Sequence, residues 1–214
     1  MPDTHLVIAV DGPAASGKGT IARALARRFG IGHLDTGKLY RAVGLALRLD
    51  GGDPGDAVHA EAVARDFKEM LLDDPDLMSA ANAESASIVS AHLGVRAALL
   101  ARQRAFAAQP KGAVLDGRDI GTVIAPDAAA KLFVTATPEV RAARRAAELA
   151  RAGHPVTHAA VLADILARDA RDSGRSAAPL IRADDAILLD TSELSIDAAV
   201  AQAIALVEAR LRGG

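Results

Sequence analysis

A chain of 214 residues with 25 basic and 27 acidic side chains carries a net charge of −2, so no global field draws it to nucleic acid or to a membrane surface. It has no cysteine, which excludes disulfides and thiolate metal sites, and its six histidines are scattered without a metal-ligand pair at helical spacing. Half the residues are hydrophobic but only 2% are aromatic, no apolar run reaches membrane-spanning length, and Asp3 and His5 stand where a secretory leader needs apolar residues, so a cytoplasmic protein with a small-aliphatic core is expected.

The first element is an apolar run, Val7 to Val10, that ends in a glycine-rich turn and opens into Ile21–Phe29. Ile21, Leu25 and Phe29 recur four apart, which predicts a helix. Strand, loop and helix together are the setting of a phosphate-binding loop. Gly12 and Gly17 let backbone N–H groups converge, and Lys18 can reach the β- and γ-phosphates of a nucleotide. The strict pattern places Ser or Thr directly after the lysine; here Gly19 intervenes and Thr20 offers the hydroxyl for Mg²⁺. The loop candidates are therefore Gly12, Pro13, Ala14, Ala15, Ser16, Gly17, Lys18, Gly19 and Thr20.

A turn and a very short strand follow at 30–35, with Thr36 expected as the N-cap of a helix over 39–47. Asp35-Thr36-Gly37 matches the aspartic-protease triplet, but a single copy running straight into an amphipathic helix is a poor protease signal. Residues 51–56 form a break. A helical period through Val58, Ala62, Phe67 and Leu71 predicts a helix over 57–72, and two more are expected over 83–89 and 95–108. Ala113–Asp116 reads as a buried strand ending in an acid. Asp116 is either a Walker B-like residue holding an outer-shell water on Mg²⁺ or an ordinary strand-ending aspartate. Further strands are expected at 131–136 and 186–190. Helices are expected from Thr137-Pro138 to about Arg151, from Thr157 to Arg168, and from Ser195 to about Leu211. Strands alternating with helices predict an α/β fold, a five-stranded parallel sheet with helices on both faces and its ligands at the carboxyl ends of the strands.

Three stretches besides the loop look chemical. Arg41 lies near a helix start, although any exposed helical arginine looks the same. In Asp116-Gly117-Arg118-Asp119-Ile120-Gly121, two glycines bracket an Arg–Asp pair, which either aims side chains into a site or forms an ion pair in a turn. In Arg168-Asp169-Ala170-Arg171-Asp172-Ser173-Gly174-Arg175, charges spaced three or four apart form either a solvated face or a lid able to close on a transferring group.

In this order and spacing, DGPAASGKGT, LDTGKLYR, LDGRDIGTV and RDARDSGRSAAPL resemble the bacterial cytidylate kinases, from about Leu6 to the last helix. The resemblance implies one kinase domain over 1–214, with an acceptor-binding lobe within 36–108 and a lid at about 154–182. It implies ATP and Mg²⁺, and CMP or dCMP as acceptor. Arg41, Arg118 and Arg175 would bind the acceptor phosphate, Arg168 and Asp172 its ribose, and Ser87, Arg96 and Asp119 the cytosine edge. Thr36 stands where the family has a small hydroxyl residue near the base. Lys18 would hold the donor with the loop N–H groups, and Arg118, Arg171 and Arg175 would gather around the moving phosphoryl group, these four being the catalytic candidates, with Thr20 and, through water, Asp116 on the metal. The family's small β-sheet insertion has no counterpart in 50–82, which reads as helical. A monomer is expected. Another P-loop nucleotide or small-metabolite kinase is the alternative, though LDGRDIGTV does not suit one; a GTP-dependent switch would need an N-K-x-D motif, which is absent.

Overall fold

The computed structural model describes residues 5–151, 153, 156–175 and 178–213, so positions 154, 155, 176 and 177 of the expected lid lie outside the described residues. Two compact units are present, one formed by Met1–His33 with Gln109–Gly214 and the other by Leu34–Ala108.

The first unit is built on a five-stranded sheet in the order β2-β3-β1-β4-β5. Its strands are β1 (Leu6–Asp11), β2 (Gly32–Asp35), β3 (Gly112–Gly117), β4 (Ala130–Thr135) and β5 (Ile187–Asp190). β1 pairs in parallel with both β3 and β4, and β4 with β5. Parallel strands need crossovers, and these are the helices. α1 (Lys18–Phe29) follows β1 and ends at Gly30, whose φ of 67° is the left-handed cap that glycine accepts without strain. After β4 come α6 (Pro138–Arg151) and α7 (His158–Gly174), and α8 (Ile196–Arg212) follows β5. Thr157 and Ser195 cap α7 and α8 through their hydroxyls. Ile8, Val10, Val114, Leu132, Val134 and Leu189 from the strands pack with Ile21 and Leu25 of α1 and Ala199, Ala203 and Val207 of α8. Each large aliphatic chain so buried contributes about 1.5–3 kcal/mol. With β1 central and its flanking strands reached by opposite crossovers, the carboxyl end of β1 is a topological switch point.

The second unit is helical: α2 (Thr36–Leu49), α3 (Ala57–Asp66), α4 (Ala80–Val89) and α5 (Leu93–Ala107), with two 3₁₀ turns at Glu69–Asp73 and Pro75–Met78. Leu39, Val43 and Leu47 pack with Ala60, Ala64, Phe67, Val95 and Leu99. The regular elements within 50–82 are all helical, as the pattern of that stretch predicts.

Three expectations are corrected. Asp35, not Thr36, occupies the N-cap position of α2, and Thr36 is its first helical residue. The helix expected over 57–72 begins at the Asp56 cap, whose carboxylate accepts from the N–H groups of Val58 and His59, and stops at Asp66, where Phe67 turns to extended backbone. Val58 and Ala62 are exposed, whereas Ala60, Ala64 and Phe67 are buried. Finally, α7 does not end at Arg168 but continues six residues to Gly174.

Candidate functional site

The glycine loop leaves β1 at the switch point. Gly12 passes so close to β4 that a Cβ there would lie 2.0 Å from the Val134 carbonyl oxygen, so no larger residue fits. Ala15 and Gly17 take φ of 59° and 90°, the alternation that turns consecutive N–H groups into one concavity. Ala15 tolerates this strain while its methyl packs against Ala142, Val161 and Ile165. Gly17 is the N-cap of α1 and supplies no capping side chain, so the positive end of the helix begins at half-buried Lys18 and is left for an anion. The Ser16 hydroxyl in the same loop is buried without a hydrogen-bond partner among the described residues.

The loop is held from outside. The Thr191 hydroxyl lies 3.0 Å from the carbonyl oxygens of Ser16 and Thr135 and donates to one of them. Arg144 donates to Thr191 at both its hydroxyl and its carbonyl, at 2.9 and 2.7 Å. Buried Arg141 donates to the carbonyls of Ala136 and Ala14 and pairs with Asp169 on α7. One guanidinium thus ties the loop to the helix that carries the candidate lid arginines.

Asp116 is the last residue but one of β3, opposite Val10 and followed by the pair Asp11–Gly117. Its Oδ1 accepts from His33 Nε2 at 2.6 Å. Its Oδ2 faces the start of α1, where a Cβ on Gly19 would stand 3.7 Å away. Thr20 Oγ1 accepts from Arg23 at 3.3 Å. A hydroxyl and a carboxylate are the hard oxygen donors Mg²⁺ takes, and Mg²⁺ draws the rest of its shell from water and substrate phosphate. The residues present fit that ion.

After β3 the chain makes a π-helical turn, Ile120–Ile124, so the glycine-bracketed segment is more regular than the expected loop. The turn is held by Asp11, the first residue of DGPAASGKGT, which the sequence pattern left without a role. Its carboxylate accepts from the backbone N–H of Ile120 and of Gly121, each at 2.8 Å. Burial raises its pKa to about 6, opposed by those two bonds and by Arg118 and reinforced by Asp119. Asp119 itself is buried at the start of the turn.

Arg118, Arg168 and Arg175 converge on one acid. Arg118 Nε donates to Asp172 Oδ2 at 2.7 Å, while Arg168 and Arg175 approach the carboxylate to 3.9 Å. Burial works against the Asp172 charge, but Arg118 and then the other two arginines outweigh it and hold the carboxyl below the usual range. A central carboxylate offsets part of the mutual repulsion of three guanidinium groups. Arg168, Arg171 and Asp172 lie within α7 at helical spacing and Arg175 is the residue after it; Arg171 is the exposed member of the group.

In the helical unit, buried Thr36 opens α2. Arg41 donates to the Leu77 carbonyl at 3.1 Å. Buried Asn82 donates to the carbonyls of Arg41 and Leu77, fixing the backbone that carries the arginine. Arg96 donates to Ser90 O at 3.2 Å and stands 5.7 Å above the Tyr40 ring. Ser87 is buried on α4. His33, Asn82, Arg141 and Thr191 carried no motif signal; each acts on a partner remote in sequence.

The cytidylate kinase family model matches residues 8–209. A protein of Xanthobacter autotrophicus named cytidylate kinase is 60% identical over 208 residues, which cover 97% of this chain and all of that protein. Proteins of the same name from Rhodopseudomonas palustris strain TIE-1 and Azorhizobium caulinodans are 56% and 57% identical, over 95% and 97% of this chain and 96% and 100% of theirs. The crystal structure of an uncharacterized protein from Eubacterium ventriosum superposes with a TM-score of 0.58 at 14% identity, over 96% of this chain and 99% of that one, a likeness of fold alone.

Proposed function

Because the chain belongs to the cytidylate kinase family, we propose that it transfers the γ-phosphoryl group of ATP to the α-phosphate of CMP or dCMP, giving ADP and CDP or dCDP. The bond from the γ-phosphorus to the β,γ-bridging oxygen breaks as one forms to an oxygen of the acceptor phosphate. That oxygen is already anionic near neutral pH, so no side chain has to remove a proton. The chemistry asked of the protein is therefore positioning and charge stabilisation.

Loop residues Gly12 to Thr20 and Lys18 hold the donor phosphates. Thr20, with Asp116 acting through water, would hold Mg²⁺, which when bound neutralises charge on the β- and γ-phosphates. Arg118, Arg171 and Arg175 surround the transferring group. Arg118 and Arg175 also bind the acceptor phosphate, and Arg168 and Asp172 its ribose. Asp119 accepts from the cytosine amino group, where uracil offers an acceptor instead. In the Leu34–Ala108 unit, Arg41, Thr36, Ser87 and Arg96 are the acceptor-binding residues. We take the protein to work as a cytoplasmic monomer, with 154–182 as its lid.

The observation that carries this reading is the anion cradle of Gly12, Gly17 and Lys18 in the same unit as the Arg118–Asp172 cluster. ADP release measured with CMP, dCMP, UMP, AMP, shikimate and no acceptor tests it. Turnover should require an acceptor and be fastest with CMP or dCMP. ATP hydrolysis indifferent to every pyrimidine monophosphate overturns it.

A further inference from the structure

The two oxygens of Asp116 face different elements, and only one of those contacts belongs to the donor site. Oδ2 looks toward the first turn of α1, where Gly19 and Thr20 stand. Oδ1 is taken by the ring of His33 on β2, the edge strand beside β3. A carboxylate only accepts, so His33 Nε2 is the donor. At 2.6 Å this is a short, charge-assisted bond. The torsion that orients a carboxylate plane is soft. A fixed donor on one oxygen therefore decides where the other points. The Asp116 side chain is 3% exposed and that of His33 18%. His33 also borders, with Arg23, Ala26, Arg27, Gly30 and Ile31, an open surface depression, so its outer edge is not locked into the core.

We propose that His33 is a positioning residue that holds Asp116 Oδ1 and thereby aims Oδ2 at the start of α1, strengthening the coupling between Mg²⁺ and nucleotide binding. The proposal rests on the reading of Thr20 and Asp116 as the metal-side residues. Partners that orient a metal-side carboxylate change metal affinity by about 10–100-fold when removed. The effect belongs to the metal-dependent part of binding. The loop N–H groups and Lys18, which contact nucleotide without metal, do not touch His33 in this scheme.

Calorimetric titration of ADP, once in EDTA and once in excess Mg²⁺, separates the two parts. The ratio of the two dissociation constants is the readout, measured on the whole chain for wild type, His33→Gln, His33→Asn and Asp116→Asn. The amide nitrogen of glutamine falls near the Nε2 position and that of asparagine near Nδ1, so the variants are alike in polarity and differ in reach. His33→Asn should shrink the ratio about tenfold or more with the EDTA value unchanged, and His33→Gln should restore most of it. Equal ratios for asparagine, glutamine and wild type overturn the proposal, as does an equal loss in both variants or a loss confined to the EDTA value. Asp116→Asn distinguishes the layers. If it keeps the wild-type ratio, the reading of Asp116 fails; if it lowers the ratio while His33→Asn does not, only the role of His33 fails. Far-UV circular dichroism shows whether each variant is folded; if His33→Asn is not, His33→Phe, which keeps a ring but has no donor, takes its place in the same comparison with the same expected loss.

Discussion

Asp11→Asn tests whether one buried carboxyl shapes the segment that carries Arg118 and Asp119. In the wild-type protein both Asp11 oxygens accept backbone N–H groups, and burial still leaves the carboxyl with a pKa raised to about 6. The folded protein therefore holds this proton more tightly than the unfolded chain, whose aspartates titrate near about 3.9. The stability from protonated Asp11 is fully present below that unfolded value and is lost as pH rises through about 6. A rise of this size corresponds to about 3 kcal/mol. Asparagine has no proton to lose. Its Oδ1 accepts one of the two N–H groups, and its Nδ2 faces the other, leaving a buried donor unsatisfied at a cost of about 1–3 kcal/mol. Above pH 7 that cost is offset by relief from burying a charge, so the two proteins should differ by no more than about 2 kcal/mol. Toward pH 4.5 the wild type should gain on the variant by most of the 3 kcal/mol. Asp172, Asp185 and Asp190, held below the usual carboxylate range, push total stability the opposite way as pH falls. They are common to both proteins and cancel in the difference. The chain has no tryptophan, so urea unfolding is best followed by circular dichroism at closely spaced pH values. A wild-type-minus-variant difference that stays constant from pH 4.5 to 8 would refute the account of Asp11.

Lys18→Ala should abolish turnover with an unchanged far-UV spectrum; near-normal kcat would remove Lys18 from phosphate binding. Asp119→Ala should erode the preference for CMP over UMP, and a substrate panel with unchanged selectivity would show that Asp119 does not read the base. Gly12→Ala forces a Cβ to within 2.0 Å of a backbone carbonyl oxygen, so it should cost about 2 kcal/mol or more in urea unfolding; a wild-type midpoint would contradict the observed path of the loop across β4.

The β1–loop–α1 unit was legible because its parts are contiguous and each residue type has a local reason to be where it is. Glycine permits the turn, lysine opens the helix, and a four-residue apolar period buries one side of α1. The 57–72 stretch was misread for the opposite reason. In an alanine-rich chain Ala60 and Ala64 carry no more signal than Ala62, and packing makes the choice between them: Ala60, Ala64 and Phe67 join the core with Leu39, Val43 and Leu47. The charged run 168–174 reads as a helix end because its charges crowd together and run into Ser173-Gly174. It stays helical because Asp172 sits among arginines drawn partly from elsewhere: Arg118, its nearest partner, lies 54 residues away in sequence.

That last case is general in this molecule. Asp11 holds N–H groups 109 and 110 residues away, His33 holds Asp116 across 83, and Arg141 reaches Ala14 across 127. Groups that meet phosphate must be of a few chemical types presented from tight turns, so they leave dense local patterns. Groups that hold those in place need only a donor or acceptor delivered by the fold, from any strand or helix that happens to pass. A motif therefore marks the side of the site that faces the ligand. The side that sets its angles becomes visible only when β2 is seen next to β3 and α6 next to the glycine loop, and it is there that a substitution can change binding without touching a single recognisable motif.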